Sequence, residues 1–262
     1  MPIHDDLGNR MKKYYENIPK TKLMRRCPVA IRIDGKSFHT FTHGLDKPFD
    51  DILMKAMQET MKYLCENIQG CVFGYTQSDE ITIVLVDYKK LNSEAWFDYE
   101  VQKMCSISAS MATLAFNKSF EKLMDSYFCM FGIDTEEDEK RYDILYEKVR
   151  SGAMFDSRCF NIPKEEVTNL VYWRQLDATR NSIESVGRAY FSHNQLYKKN
   201  CNEIQEMLHE QFGINWNDLP IEKKRGSSCI KTTDGWVIDH YMPILKGEDR
   251  LYLDCLIKAE EE

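Results

Sequence analysis

The stretch "GYTQSDEITIVLV", Gly74 to Val86, confines the chain more than any other. Strand formers flank a short polar segment, so the pattern predicts a hairpin: strand Cys71–Tyr75, turn Thr76–Glu80, strand Ile81–Val86. The turn ends in two neighbouring carboxylates, Asp79 and Glu80. A solvated tip is the ordinary reading of such charge. A metal site is the other, and the rest of the chain must decide between them.

Upstream, "PVAIRIDGKSF" (Pro28–Phe38) is an apolar, β-branched run that meets Asp-Gly, a buried strand ending in a tight loop. A helix follows: Leu53, Met57, Met61, Leu64 and Ile68 recur at helical spacing, with Asp50 as N-cap and Gly70 as stop. "NSEAWFDYEVQKMCSISASMATLAFN" (Asn92–Asn117) predicts another helix, and the small residues Ser106–Ala112 let it lie close to a sheet. Ile133–Arg150 is charged and predicts an exposed helix. "GAMFDSRCFNIP" (Gly152–Pro163) predicts a short strand, and Lys164–Asn200 a helix in two pieces. "CNEIQEMLHEQFG" predicts a shorter helix ended by Gly213, and the tail from "SSCIKT" to "LYLDCLIK" holds strand candidates. Strands alternating with helices in this order predict an α/β or α+β sheet covered by helices on one face. The expected layout is one domain over 1–262, with a helical insertion at about 120–150 and a C-terminal helical and strand extension.

The 262 residues, 43% of them hydrophobic, suffice for a sizeable core. No run of about 18 apolar residues exists to cross a membrane. The N-terminal "MPIHDDLGNRMKKYYENI" lacks the basic-then-apolar order of a signal peptide. Nine cysteines scattered singly, without a CxxC pair, fit free thiols in a reducing cytosol. The six dispersed histidines offer no four-ligand zinc set. A net charge of −7 repels nucleic acid except where it is locally reversed, as at Arg10–Lys13, Met24–Arg26, Lys198–Lys199 and Lys223–Arg225.

Asp34 ends the first strand, and Asp79 sits at the hairpin tip. If those strands pair, both carboxylates meet at one sheet edge, where their repulsion is relieved by a divalent cation. Hard oxygen ligands of this kind suit Mg²⁺, and two such ions suit phosphoryl or nucleotidyl transfer. Gly35 lets backbone approach a ligand, and the N–H groups of "DGKSF" could form a nest around a triphosphate. Lys36 and Lys47 could add positive charge, and Phe38 or His39 could stack on a base or ribose. Residue reasoning ends at a metal-dependent nucleotide enzyme of open type.

At "RIDGKSFHTFTHGLDKPFDD" and "GYTQSDEITIVL" the sequence resembles the tRNA-histidine guanylyltransferase family, and more closely its guanylyltransferase-like 3′–5′ polymerase branch. The resemblance continues through "WFDYEVQKMCSISASMATLAFN", "GAMFDSRCFNIP", "YWRQLDATRNSI" and "KKRG", from about Leu7 to about Gly226. It implies an α+β fold similar to the palm of polymerases and nucleotidyl cyclases, with two Mg²⁺ ions and ATP or GTP as activating substrate. It also implies Asp34, the Gly35 carbonyl and Asp79 as metal ligands. Asp34, Gly35, Lys36, Ser37, Phe38, His39, Lys47, Ser78 and Asp79 would surround the triphosphate. Glu80 would join Asp34 and Asp79 as a catalytic residue. Lys103, Arg174, Asn181, Lys224 and Arg225 would contact the RNA or its 5′ end, and a homotetramer is implied.

One departure bears on substrate. Members that add guanosine to tRNA-histidine carry "HINNLY"; here the aligned stretch is "TRNSIE" (Thr179–Glu184), which keeps only Asn181. That favours repair of 5′-truncated tRNA over guanosine addition to tRNA-histidine. A palm-type nucleotidyl cyclase, and a palm-derived scaffold without activity, remain the alternatives.

Overall fold

A computed structural model describes residues 5–259; residues 1–4 and 260–262 of the span expected as one domain lie outside the described residues. The strands are β1 (Val29–Gly35), β2 (Cys71–Gln77), β3 (Glu80–Leu85), β4 (Phe155–Asn161), β5 (Ser227–Thr232) and β6 (Gly235–Asp239). They form one sheet in the order β4-β1-β3-β2-β5-β6, with every neighbouring pair antiparallel. The helices are α1 (Asp6–Met11), α2 (Phe38–Phe41), α3 (Asp51–Asn67), α4 (Val101–Phe131), α5 (Glu136–Ser151), α6 (Lys164–Tyr190), α7 (His193–Leu196), α8 (Cys201–Phe212), α9 (Ile221–Arg225) and α10 (Leu251–Asp254). The fold is α+β and palm-like.

Alternation along the central strands sets the layers. Val29, Ile31 and Ile33 of β1 and Ile81, Ile83 and Leu85 of β3 pack in one buried cluster with Met57, Met61 and Leu64 of α3 and Phe116 and Phe120 of α4. A one-residue slip of either strand would turn this set to the opposite face, so the register is strongly specified. The expectation of helices on one face describes α3 and α4 but is incomplete. Ala30, Phe73, Tyr75 and Val84 form a second cluster with Val167 and Val171 of α6 and with Met242, Leu245 and Leu253 of the C-terminal segment.

Asp50 caps α3 as expected, accepting from the Leu53 N–H at 2.9 Å. The hairpin is tighter than the predicted Thr76–Glu80 turn: Gln77 pairs with Glu80, leaving Ser78 and Asp79 as a two-residue loop. Ser78 adopts φ 54°, the left-handed region that tight hairpin turns normally give to glycine. Helix α4 does not stop at Asn117; apolar residues at helical spacing, Phe120, Met124 and Phe128, keep it on the core to its end. "LYLD" in the tail is helical rather than a strand, with Leu253 buried against the second cluster. Helix α6 continues past the sheet, where Ile183 and Val186 form a third cluster with Ile204, Leu208 and Trp216.

Candidate active site

Asp34, at the end of β1, is the direct cross-strand partner of Glu80 on β3 and of Asp156 on β4. The Gly35 N–H donates to the Asp79 carbonyl at 3.0 Å, tying the loop after β1 to the hairpin tip. Four carboxylates thus gather at one end of the sheet. Burial, then the charges of Asp79, Glu80 and Asp156, push the Asp34 pKa above its ordinary value; Arg158, 3.7 Å away, pulls it down. The Asp79 carboxyl is pushed up chiefly by burial and also by Glu80, while its own N–H, the Ser78 hydroxyl and Arg174 act in the other direction.

Glu80 is not a free carboxylate. Arg32 of β1 and Arg174 of α6 both pair with it, and Arg174 also reaches Asp177 at 2.7 Å. Both guanidiniums lie over the Trp173 ring, at 5.5 and 4.6 Å from its centre. Glu80, expected among the catalytic residues, ties α6 to the hairpin through these pairs. Arg174, expected at the RNA, is only 7% exposed and inside this network. Its charge read as a surface feature in sequence because packing of α6 on the sheet is a long-range event.

A cavity of about 640 Å³ opens beside the hairpin tip. The segment from Thr42 to Asp50 forms one wall, Met54, Met57 and Gln58 of α3 another, and Asn181, Ser182 and Ser185 of α6 a third. Of the expected nucleotide residues, His39, Lys47 and Ser78 line it. Lys36 and Ser37 are exposed on the loop between β1 and α2. The Phe38 ring does not reach the site: it is 4% exposed and stacked among Phe41, Phe116 and Phe155. That ring also gives the reason for glycine at 35, because a Cβ there would lie 2.1 Å from it. The N–H groups of Gly35 and Lys36 are already bonded, to Asp79 and Met154, so a phosphate nest could begin only at Ser37.

The remaining RNA candidates are dispersed. Asn181 lines the cavity, with its Nδ2 3.4 Å from Asp177. Lys224 is 8% exposed, donates to the Asn217 carbonyl at 2.5 Å and sits over Trp216. The Arg225 carbonyl accepts from the Tyr75 hydroxyl at 2.6 Å, and its Nε is buried, so α9 braces β2. Lys103 lies near the start of α4, its ammonium over Phe97, on the sheet face opposite α6.

Among the described residues no group of three or more His, Cys, Asp or Glu side chains could hold a metal ion. The donor set here is smaller: Asp34, Asp79 and the Gly35 carbonyl. Two partly buried carboxylates on loops bonded to each other through the backbone would fit Mg²⁺, which keeps several waters and takes few protein ligands. Sequence reasoning missed Arg158, although Asp156 and Arg158 lie two apart on a strand and therefore share a face. It also missed Arg32, which alternates in register with Asp34.

Acidic side chains at one end of an antiparallel palm sheet, with a nucleotide-sized cavity alongside, mark a nucleotidyltransferase. The family model for tRNAHis guanylyltransferase (Thg1) matches residues 8–163, and the chain belongs to that family. A bacterial tRNA(His) guanylyltransferase-like protein solved in complex with ATP is 42% identical, with a TM-score of 0.81 over 96% of this chain and 99% of its own. A bacterial guanylyltransferase-like protein solved with GTP is 38% identical, with a TM-score of 0.72 over 97% and 99%. A probable tRNA(His) guanylyltransferase of Dictyostelium discoideum is 29% identical over 80% of this chain and 77% of its own length.

Proposed function

We propose that the protein extends the 5′ end of truncated tRNA in the 3′–5′ direction, one templated nucleotide at a time, within a single catalytic domain. The observation that carries this reading is the cavity at the hairpin tip, lined by Ser78, His39 and Lys47, with Asp79 the next residue of the turn. The ATP and GTP complexes of the bacterial relatives support a purine triphosphate as its occupant.

Three moves follow. The RNA 5′-monophosphate attacks the α-phosphorus of ATP or GTP, pyrophosphate leaves, and a 5′–5′ linkage forms. The 3′-hydroxyl of an incoming nucleotide attacks the activated 5′ phosphate, and the nucleoside monophosphate leaves. A remaining 5′-triphosphate is then trimmed of pyrophosphate. In-line displacement of this kind depends on positioning and charge neutralisation more than on a protein base. Two bound Mg²⁺ ions would neutralise the triphosphate and acidify the attacking hydroxyl. The residues that would hold them are Asp34, Asp79 and the Gly35 carbonyl. Lys36 and Lys47 supply cations for phosphate oxygens, and Pro48, Phe49 and Met54 exclude water from the base. Template pairing selects the incoming base, so the protein needs to recognise only backbone and shape.

Guanosine addition to tRNA-histidine is the second reading, favoured by the names of the relatives; "TRNSIE" in place of "HINNLY" weighs against it. A homotetramer bridged by RNA belongs to the proposal, and the exposed Met130 and Phe131 at the end of α4 offer apolar surface for it. A cytosolic setting is supported by nine cysteines without a disulfide. The test is extension of a 5′-truncated, 5′-monophosphorylated tRNA with Mg²⁺ and all four nucleotides. Additions that restore Watson–Crick pairs and then stop support repair. Guanosine added whatever the opposing base, or a cyclic nucleotide made without RNA, overturns it.

A further inference from the structure

The inner wall of the cavity carries polar groups that the carboxylate corner does not use. Gln58 of α3 is 6% exposed and lines the cavity with Glu222 and Ser227. Its Nε2 donates to Glu222 Oε2 at 2.9 Å and to Ser227 Oγ at 2.9 Å. His240 Nδ1 lies 2.5 Å from the same Glu222 oxygen. An ionised carboxylate only accepts, so Glu222 dictates which end of the amide faces it. The Gln58 NH₂ is thereby spent, and its carbonyl oxygen is directed elsewhere.

That oxygen accepts from no described residue, yet it is not among the polar atoms sealed away without a partner. It therefore keeps some exposure, on a residue that lines the cavity. The same cavity also carries apolar side chains: Leu45, Pro48, Phe49, Met54 and Met57 suit the faces of a flat ring. An acceptor on a side chain only 6% exposed, oriented by the bonds to Glu222 and Ser227 and left without a protein donor, costs free energy until a donor meets it.

We propose that Gln58 determines specificity by accepting a hydrogen bond from the exocyclic amine of a purine triphosphate, N6 of adenine or N2 of guanine. The proposal rests on the nucleotide reading above and adds the group that reads the base. Glu222 is its positioning residue. A site built to pair a donor discriminates against the analogue that lacks it, because the acceptor then stays unpaired.

The test measures Mg²⁺-dependent binding of ATP against purine riboside triphosphate, and of GTP against inosine triphosphate, by calorimetry. Wild type is expected to prefer the amine-bearing member of at least one pair by about tenfold. The discriminated pair identifies the base. Gln58→Met and Gln58→Leu are expected to erase that preference while binding the amine-free nucleotide within about twofold of wild type, which also reports that they fold. Equal binding across both pairs by wild type, or a preference that survives in either variant, overturns the role of Gln58. Failure of all four triphosphates to bind wild type overturns the nucleotide reading, and this proposal with it.

Discussion

The Gly35 amide donates to the Asp79 carbonyl at 3.0 Å, so the loop that follows Asp34 and the turn that presents Asp79 are bonded to each other through the backbone. The two carboxylates are thereby held by main chain at the ends of β1 and β2 rather than by flexible side-chain contacts. Burial raises the pKa of both, and the charge of Asp79 adds to the rise at Asp34; that cost is tolerated where a cation or substrate relieves it.

Stability without cations should respond to pH accordingly. Asp34 and Asp79 both hold protons more tightly folded than unfolded. Across the interval between the ordinary and the raised pKa the folded state binds more protons, so stability falls as pH rises. Asp34→Asn and Asp79→Asn remove that penalty. Each variant is expected to melt above wild type at neutral pH without divalent cations, with the gap closing as pH falls toward about 4. Variants that melt below wild type at neutral pH would contradict the assignment.

Arg174 is a structural cation. Removing it leaves Glu80 with Arg32 alone and Asp177 with the more exposed Arg180, and breaking a buried pair of this kind costs about 3 kcal/mol. Urea unfolding of Arg174→Ala should show that loss, with Glu80→Gln in the same background recovering part of it. The salt dependence of tRNA binding should not change if the Arg174 charge is spent on Glu80 and Asp177. A flattened salt slope with undiminished stability would restore Arg174 to the RNA surface.

Arg141 couples α5 to the wall of the cavity. It pairs with Asp46 and lies 3.4 Å from Asp50, both in the segment that walls the cavity. Arg141→Ala is expected to raise KM for the activating nucleotide about tenfold with a smaller change in kcat, and Arg141→Lys to recover part of the loss. A fall in kcat at constant KM would assign Arg141 to the chemical step instead.

What could be read in advance was local. Asp34 follows a β-branched run and precedes glycine, Asp79 lies between two strands, and Asp50 stands before a helical stripe; each signal is complete within about ten residues. What could not be read depends on distant packing. The burial of Arg174 and Lys224 needs α6 and α9 to be docked, and the place of Arg158 needs β4 to pair with β1 across more than a hundred residues of chain. Gln58 was hidden in the amphipathic pattern of α3, where a polar residue beside Met57 and Met61 was the only hint. "LYLDCLIK" misled because a short apolar run has no period of its own, and docking against the second cluster made it helical.

The central claim is that Asp34 and Asp79 together hold a triphosphate through divalent cations, and calorimetric titration of GTP with and without Mg²⁺ tests it most directly. Wild type is expected to bind GTP only when Mg²⁺ is present, and Asp34→Asn and Asp79→Asn each to lose more than about 100-fold in affinity, beyond the 10–100-fold typical of outer-shell changes at metal sites. Undiminished, Mg²⁺-dependent binding in both variants would contradict the account.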